Sequence, residues 1–175
     1  MMFMSRGNCG ICVLALVLAL VGAGWAQTAK PTSPDHAILY NRAVSFLDQA
    51  QQKLKDGDLA AAKSAVKQSN SLFTLLQKEY ASVLAERELS PQEDQQLAIN
   101  QKLADDTHAE ADRLMATAAA QEKKAQELEA KGQEAEAKAS YRRSRDGYNR
   151  AQNLYVRSGL YALRNQQLIF RFLAP

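Results

Sequence analysis

Five arginines recur every seven residues in the last third of the chain: Arg143, Arg150, Arg157, Arg164 and Arg171. A guanidinium is a planar fork of donors that matches carboxylate and phosphate oxygens. The chemistry this spacing offers is therefore recognition of an anion, not the making or breaking of bonds. Tyr141, Tyr148 and Tyr155 keep the same period two positions earlier. On a helix two positions are about 200° of rotation, which predicts a buried tyrosine seam and an outer arginine stripe. The apolar run from Leu168 to Leu173, with Phe170 and Phe172, is the other candidate contact surface. Left uncovered it would be a patch of the kind that marks a partner site. The favoured expectation is that it covers the end of a bundle near Leu97 and Leu103.

Two roles for the stripe are open. From Glu86 to Asp112 eight acids stand against two bases, and from Lys138 onward eight bases stand against Asp146 alone. In an antiparallel hairpin turning at Gly132, Arg171 would face Glu93, Arg157 would lie near Asp105 and Asp106, and Arg150 near Glu110 and Asp112. Internal pairing of the two blocks is the favoured expectation. The other role is docking of an acidic protein or an anionic envelope component, a polymer or a lipid headgroup layer.

Catalytic groupings are sparse. His36 and His108 lack a second ligand at metal-binding spacing, and His108 reads as a surface histidine in a polar helix. The glycines beyond Ala26 are too far apart for a phosphate loop, and no Gly-x-Ser-x-Gly elbow occurs. The expectation is a protein that is not an enzyme and needs no cofactor or metal.

The stretch from Met1 to Ala26 differs in kind from the rest. Arg6 precedes the apolar run Ile11–Val21, and Gly24 and Ala26 are small residues at the −3 and −1 positions of a secretory signal. Cleavage is expected between Ala26 and Gln27. The apolar core has 11 residues, short of the ~20 that a spanning helix needs, so no stable membrane span is expected after cleavage. Export to a bacterial periplasm or the outside medium follows. The leader holds Cys9, Cys12 and Trp25, leaving a body without thiol, disulfide or indole. That body carries 21 bases and 19 acids, a balance that argues against nucleic acid as partner.

Residues 27–32 form a short polar lead-in, and 33–175 a single domain rich in strong helix formers. Four helices are predicted. The first starts at Ser33-Pro34-Asp35 and ends at Gly57. The second runs from about Leu59 to Glu88. Ser90-Pro91-Gln92-Glu93 joins an N-cap, a first-turn proline and a capping-box glutamate and opens the third, which ends at Gly132. The fourth runs from about Glu134 toward Phe172. Links of two or three residues make neighbours antiparallel. The expected fold is all-α: two long helical hairpins in an elongated four-helix bundle or a short solenoid. The Ala-, Glu-, Gln- and Lys-rich stretch from Ala116 to Ala139 predicts a slender exposed tip.

The chain superimposes on itself, 39–80 over 114–155, when Leu39 is laid on Leu114. In that alignment Ala43 meets Ala118, Ala50 meets Ala125, Gly57 meets Gly132, Ala62 meets Ala137, Ser69 meets Ser144 and Tyr80 meets Tyr155. Each unit resembles a tetratricopeptide-type hairpin. Ala125, Leu128, Gly132, Ala137 and Tyr141 stand at matching intervals, as do Ala50, Gly57 and Ala62 in the first unit. The resemblance covers about 30 residues per unit and lacks the family's early tryptophan, its closing proline and its 34-residue period. It implies a helical-repeat protein that binds another protein as an adaptor or scaffold, and it names no partner or oligomeric state. Binding of unfolded proteins or anionic envelope polymers through the arginine-rich last helix is the competing expectation.

Overall fold

A computed structural model describes residues 34–174; the expected cleavage site at Ala26 and Gln27 lies outside them. The described residues are all-α. They form α1 (Pro34–Lys55), α2 (Leu59–Glu79), the short α3 (Ala81–Glu86), α4 (Pro91–Ala130) and α5 (Glu134–Ile169), closed by a 3₁₀ turn, Arg171–Leu173. Two antiparallel hairpins result, α1 with α2 and α4 with α5.

The turns form where the sequence demands them. Gly57 and Gly132 take φ of +79° and +73°, a conformation open to glycine at no steric cost. Each ends its helix with the same bond, Asp58 N–H to the Lys53 carbonyl at 2.9 Å and Gln133 N–H to the Leu128 carbonyl at 3.0 Å. Asp58 then caps α2 by accepting from the Ala61 N–H at 3.0 Å. The capping box at α4 is complete: Ser90 Oγ accepts from Glu93 N–H, and the Glu93 carboxylate accepts from Ser90 N–H at 2.9 Å. The second predicted helix is shorter than expected. It breaks at Tyr80, whose ring is fully buried, and the short α3 follows.

Two kinds of core hold the hairpins. The α4–α5 interface is a seam of small residues. Ala104, Ala111, Ala118 and Ala125 are buried on α4 at intervals of seven. Ala137, Ser144, Ala151, Ser158 and Asn165 are buried on α5 at the same interval. The helices approach so closely that a Cβ placed on Gly147 would lie 3.0 Å from Ala118 Cβ. Ser158 Oγ donates across the seam to the Ala104 carbonyl at 2.8 Å. The first hairpin repeats the device, with Ser69 Oγ donating to the Ala43 carbonyl at 2.8 Å.

These two bonds stand in one register. In the self-alignment Ser69 and Ala43 fall on Ser144 and Ala118. Sliding that second pair two heptads along its hairpin gives Ser158 and Ala104. The second hairpin therefore has the first one's packing, prolonged at its open end.

The prolonged end receives the first hairpin. There α1 and α2 pack on the C-terminal part of α5, and no comparable contact joins them to α4. An aromatic core fills the junction. Phe73 stacks on Phe170 with centroids 6.1 Å apart, and Tyr40 meets Phe73 edge-on. Tyr80 lies edge-on to Phe172 at 5.5 Å. Leu47, Leu76, Leu163 and Leu173 complete it. Beyond this base the α4–α5 hairpin projects as a two-helix arm, about 40 Å long from Ala104 to the Gly132 turn at 1.5 Å per residue. The slender tip expected for 116–139 is the end of this arm.

Close packing at the seam is directly testable. Ala118→Leu forces the helices apart and should cost about 1–3 kcal/mol in urea unfolding. A variant as stable as the parent would contradict the close approach.

Candidate functional site

The arm has two unlike flanks, and the seam decides which side chains reach each. The tyrosines sit beside the seam, one turn from its buried positions. Tyr141 is exposed, and Tyr148 and Tyr155 are half-buried. This corrects the expected tyrosine seam. Alanine and serine occupy the contact because only small side chains fit at this helix spacing, and the rings are displaced to the edge. Each phenol donates to a carboxylate of α4: Tyr141 to Glu129 at 2.8 Å, Tyr148 to Glu122 at 2.8 Å and Tyr155 to Asp112 at 2.5 Å. These bonds hold all three phenol pKa values above 10, with desolvation adding to the effect. Tyr80, by contrast, is core.

His108 joins this flank, its ring edge-on to Tyr155 at 5.1 Å and its Nε2 3.9 Å from Asp112. It lies at the surface, as expected. His36 accepts or donates at 2.7 Å to Tyr80 Oη and belongs to the aromatic core. Among the described residues no His, Cys, Asp and Glu cluster could hold a metal ion, and no helix is long and apolar enough to cross a membrane.

The opposite flank carries the arginines. Arg143, Arg150 and Arg157 are exposed, and none makes an ion pair among the described residues. The expected pairing of acidic and basic blocks is therefore corrected. Glu93 pairs with Arg87 at 3.1 Å, Asp106 with Lys102 at 2.8 Å, and Asp112 serves Tyr155. Glu110 borders one shallow depression with Arg150 and Arg157 without an ion pair to either. Arg164 does pair, but with α1: its guanidinium donates to Asp48 at 3.0 Å and to Gln51 at 2.6 Å. Arg171 is exposed, and its charge helps lower the Glu93 pKa, an effect led by the Ser90 hydrogen bonds.

The apolar end is not a free surface. Phe170 is 0 % exposed and Phe172 is half-buried over Tyr80. Both belong to the junction of α1, α2 and α5, so neither offers a docking site. The residue that secures them, Arg87, is absent from the sequence-based candidates. Its guanidinium lies 5.2 Å from the Phe172 ring centroid, donates to the Ile169 carbonyl and pairs with Glu93. An isolated arginine between two acids carries no periodic signal, so nothing in the pattern marks it.

No protein-family model matches the chain, and neither a curated protein nor a solved structure is detectably similar to it.

The tyrosine flank sets an alkaline limit. Its phenols are raised in the folded state, so their contribution is complete below the unfolded pKa of about 10 and is lost as pH rises through the higher folded values. Melting temperature should fall above about pH 10. In a Tyr141→Phe, Tyr148→Phe, Tyr155→Phe variant that fall should be shallower. Equal slopes would show that these bonds do not contribute.

Proposed function

We propose that the protein is an exported, non-enzymatic scaffold of the cell envelope that docks another protein through the arginine flank of its arm. One observation carries this reading: Arg143, Arg150 and Arg157 stay exposed and unpaired among the described residues although α4 beside them is rich in carboxylates. Exposed cations in line along a rigid helix form a pre-ordered comb for an anionic surface, and charge complementarity of this kind governs on-rate and specificity. The projecting arm puts Arg143 and Arg150 beyond the body, where a large partner can reach them. The tyrosine bonds and the Arg87 cluster, by contrast, hold helices together. The duplicated hairpins, with their tetratricopeptide-like intervals, favour a protein as partner. The leader-like stretch from Met1 to Ala26 favours export.

An Arg143→Gln, Arg150→Gln variant tests the flank. Its melting temperature should match the parent's, because exposed substitutions away from packed features change stability little. In-cell crosslinking followed by mass spectrometry should lose a specific partner. A lowered melting temperature with the partner retained would move the arginines back to an internal role. Loss of binding to anionic polymers, with no protein crosslinked in either form, would favour the envelope-polymer reading.

Export is tested separately. The form isolated from the envelope should begin at Gln27, contain no free thiol and show no tryptophan emission. Detection of Trp25 fluorescence in that form would refute the cleavage site.

A further inference from the structure

Because α1 and α4 both pack on α5 with no comparable contact between them, a trough runs between them with α5 as its floor. Two depressions of about 480 and 370 Å³ make up this trough, and both are bordered by Asn100 of α4 and Arg164 of α5. Arg171 and Tyr40 stand at one end, Lys55 and Arg157 at the other. From Arg157 to Arg171 the floor is about 20 Å long. The arginine stripe thus does two things: Arg143 and Arg150 face outward on the arm, and Arg157, at its base, lines this trough with Arg164 and Arg171.

The lining is amphipathic. Leu168 lies in the first depression, and Leu54 and Leu160 in the second, all three half-buried. On the α4 rim, Ile99 and Leu103 are 45 % and 40 % exposed. They follow Gln96 and Asn100, which line the trough, at the three-residue spacing of one helix face. Four cations, Lys55, Arg157, Arg164 and Arg171, surround these leucines. Asp48 is the carboxylate that answers one of them, through Arg164.

From this geometry we propose that the trough receives an acidic, amphipathic helix of a partner protein, about 14 residues long for a 20 Å floor. The proposal rests on reading the chain as a protein-binding module and gives that module a groove in addition to its arm. Helix-in-groove recognition places apolar anchors at i, i+3, i+4 and i+7 against an apolar floor. Here the leucines supply the floor, and the flanking arginines and lysine select carboxylates on the ligand's edges. The occupant would complete a four-helix arrangement with α1, α4 and α5, covering the apolar side chains that the two hairpins leave open. Residues 27–33 of this chain do not qualify, since they hold Lys30 and no acid. A purely charged polymer would leave the leucine floor uncovered.

The probe is a fluorescein-labelled 15-residue peptide with leucines at helical spacing on one face and glutamates on the other, titrated by anisotropy against the full-length purified protein. Lys55→Gln with Arg171→Gln should weaken binding at least tenfold and leave the circular-dichroism melt unchanged. Leu103→Glu should weaken it independently, which keeps the test sound if the first variant unfolds. Arg143→Gln with Arg150→Gln, on the arm and away from the trough, should leave peptide affinity unaltered. Equal weakening by the arm variant, equal affinity for polyglutamate of the same length, or no binding at all would each overturn the trough. So would a dimer of this protein, sensitive to Arg171→Gln, that the peptide fails to dissociate. Those results leave the arm reading standing, because it is decided by crosslinking through Arg143 and Arg150, which lie away from the trough.

Discussion

Everything in this fold follows from how closely α4 and α5 approach. Small side chains at every seventh position let the helices come near enough for a serine hydroxyl to reach the facing main chain, as Ser158 reaches Ala104. Such a contact tolerates one register. Rotating α5 to bring Tyr148 or Arg150 into the place of Ser144 or Ala151 would put a side chain there that does not fit. Alanine buries little area, so each layer contributes modestly to stability at ~25 cal/mol per Å². The seam compensates by length and by its tyrosine–carboxylate bonds, which lie beside it where the rings no longer fit within it.

The first hairpin obeys the same rule over a shorter span. Ala43, Ala50, Ala62 and Ser69 are all buried, and their counterparts in the second unit, Ala118, Ala125, Ala137 and Ser144, are buried too. The counterparts of its bulky positions differ: Leu47 matches Glu122, Leu76 matches Ala151 and Leu72 matches Gly147. Bulk in the first unit lets it join a core; its loss in the second leaves a thin rod. The two further heptads that α4 and α5 possess then supply Leu163 and, just past α5, Phe170 and Leu173, against which the first hairpin closes. One packing plan, with residue size varied along it, thus yields both a base and an arm.

Helix boundaries, both glycine turns and the capping box at Ser90 are legible in the sequence, because they depend on local chemistry that acts within a few residues. The seam is written there as well, in the heptads of Ala104 and Ser144, but the aromatic periodicity beside it is the louder signal. A helical pattern gives the angle between Tyr141 and Arg143; it does not tell which angle faces the neighbour. That choice belongs to sterics across the interface, and between two close helices the smallest residues prevail. For Phe170 and Phe172 the covering role is legible, but what they cover is not, for a related reason. Their apolar character is evident, but their partners, Phe73 and Tyr80, come from the other hairpin and join them only through the mode of hairpin packing. Arg87 is the extreme case, since its three contacts depend on where the end of α5 comes to rest.

The unpaired arginines are best understood as an outcome of this hierarchy. Each exposed ion pair would contribute only ~0–1 kcal/mol, whereas displacing the seam would expose every buried alanine and serine at once. Electrostatics therefore cannot choose the register; it inherits one. In the inherited register the α4 carboxylates Asp112, Glu122 and Glu129 meet phenols, Asp106 meets Lys102, and Glu93 meets Arg87. Arg143, Arg150 and Arg157 are left exposed on the far flank. A comb of cations at heptad spacing on a rigid helix contributes little to holding its own fold together. Its ordered spacing has physical consequence only for a surface of opposite charge brought up from outside, and that asymmetry ties the packing of the seam to the proposed docking role of the arm.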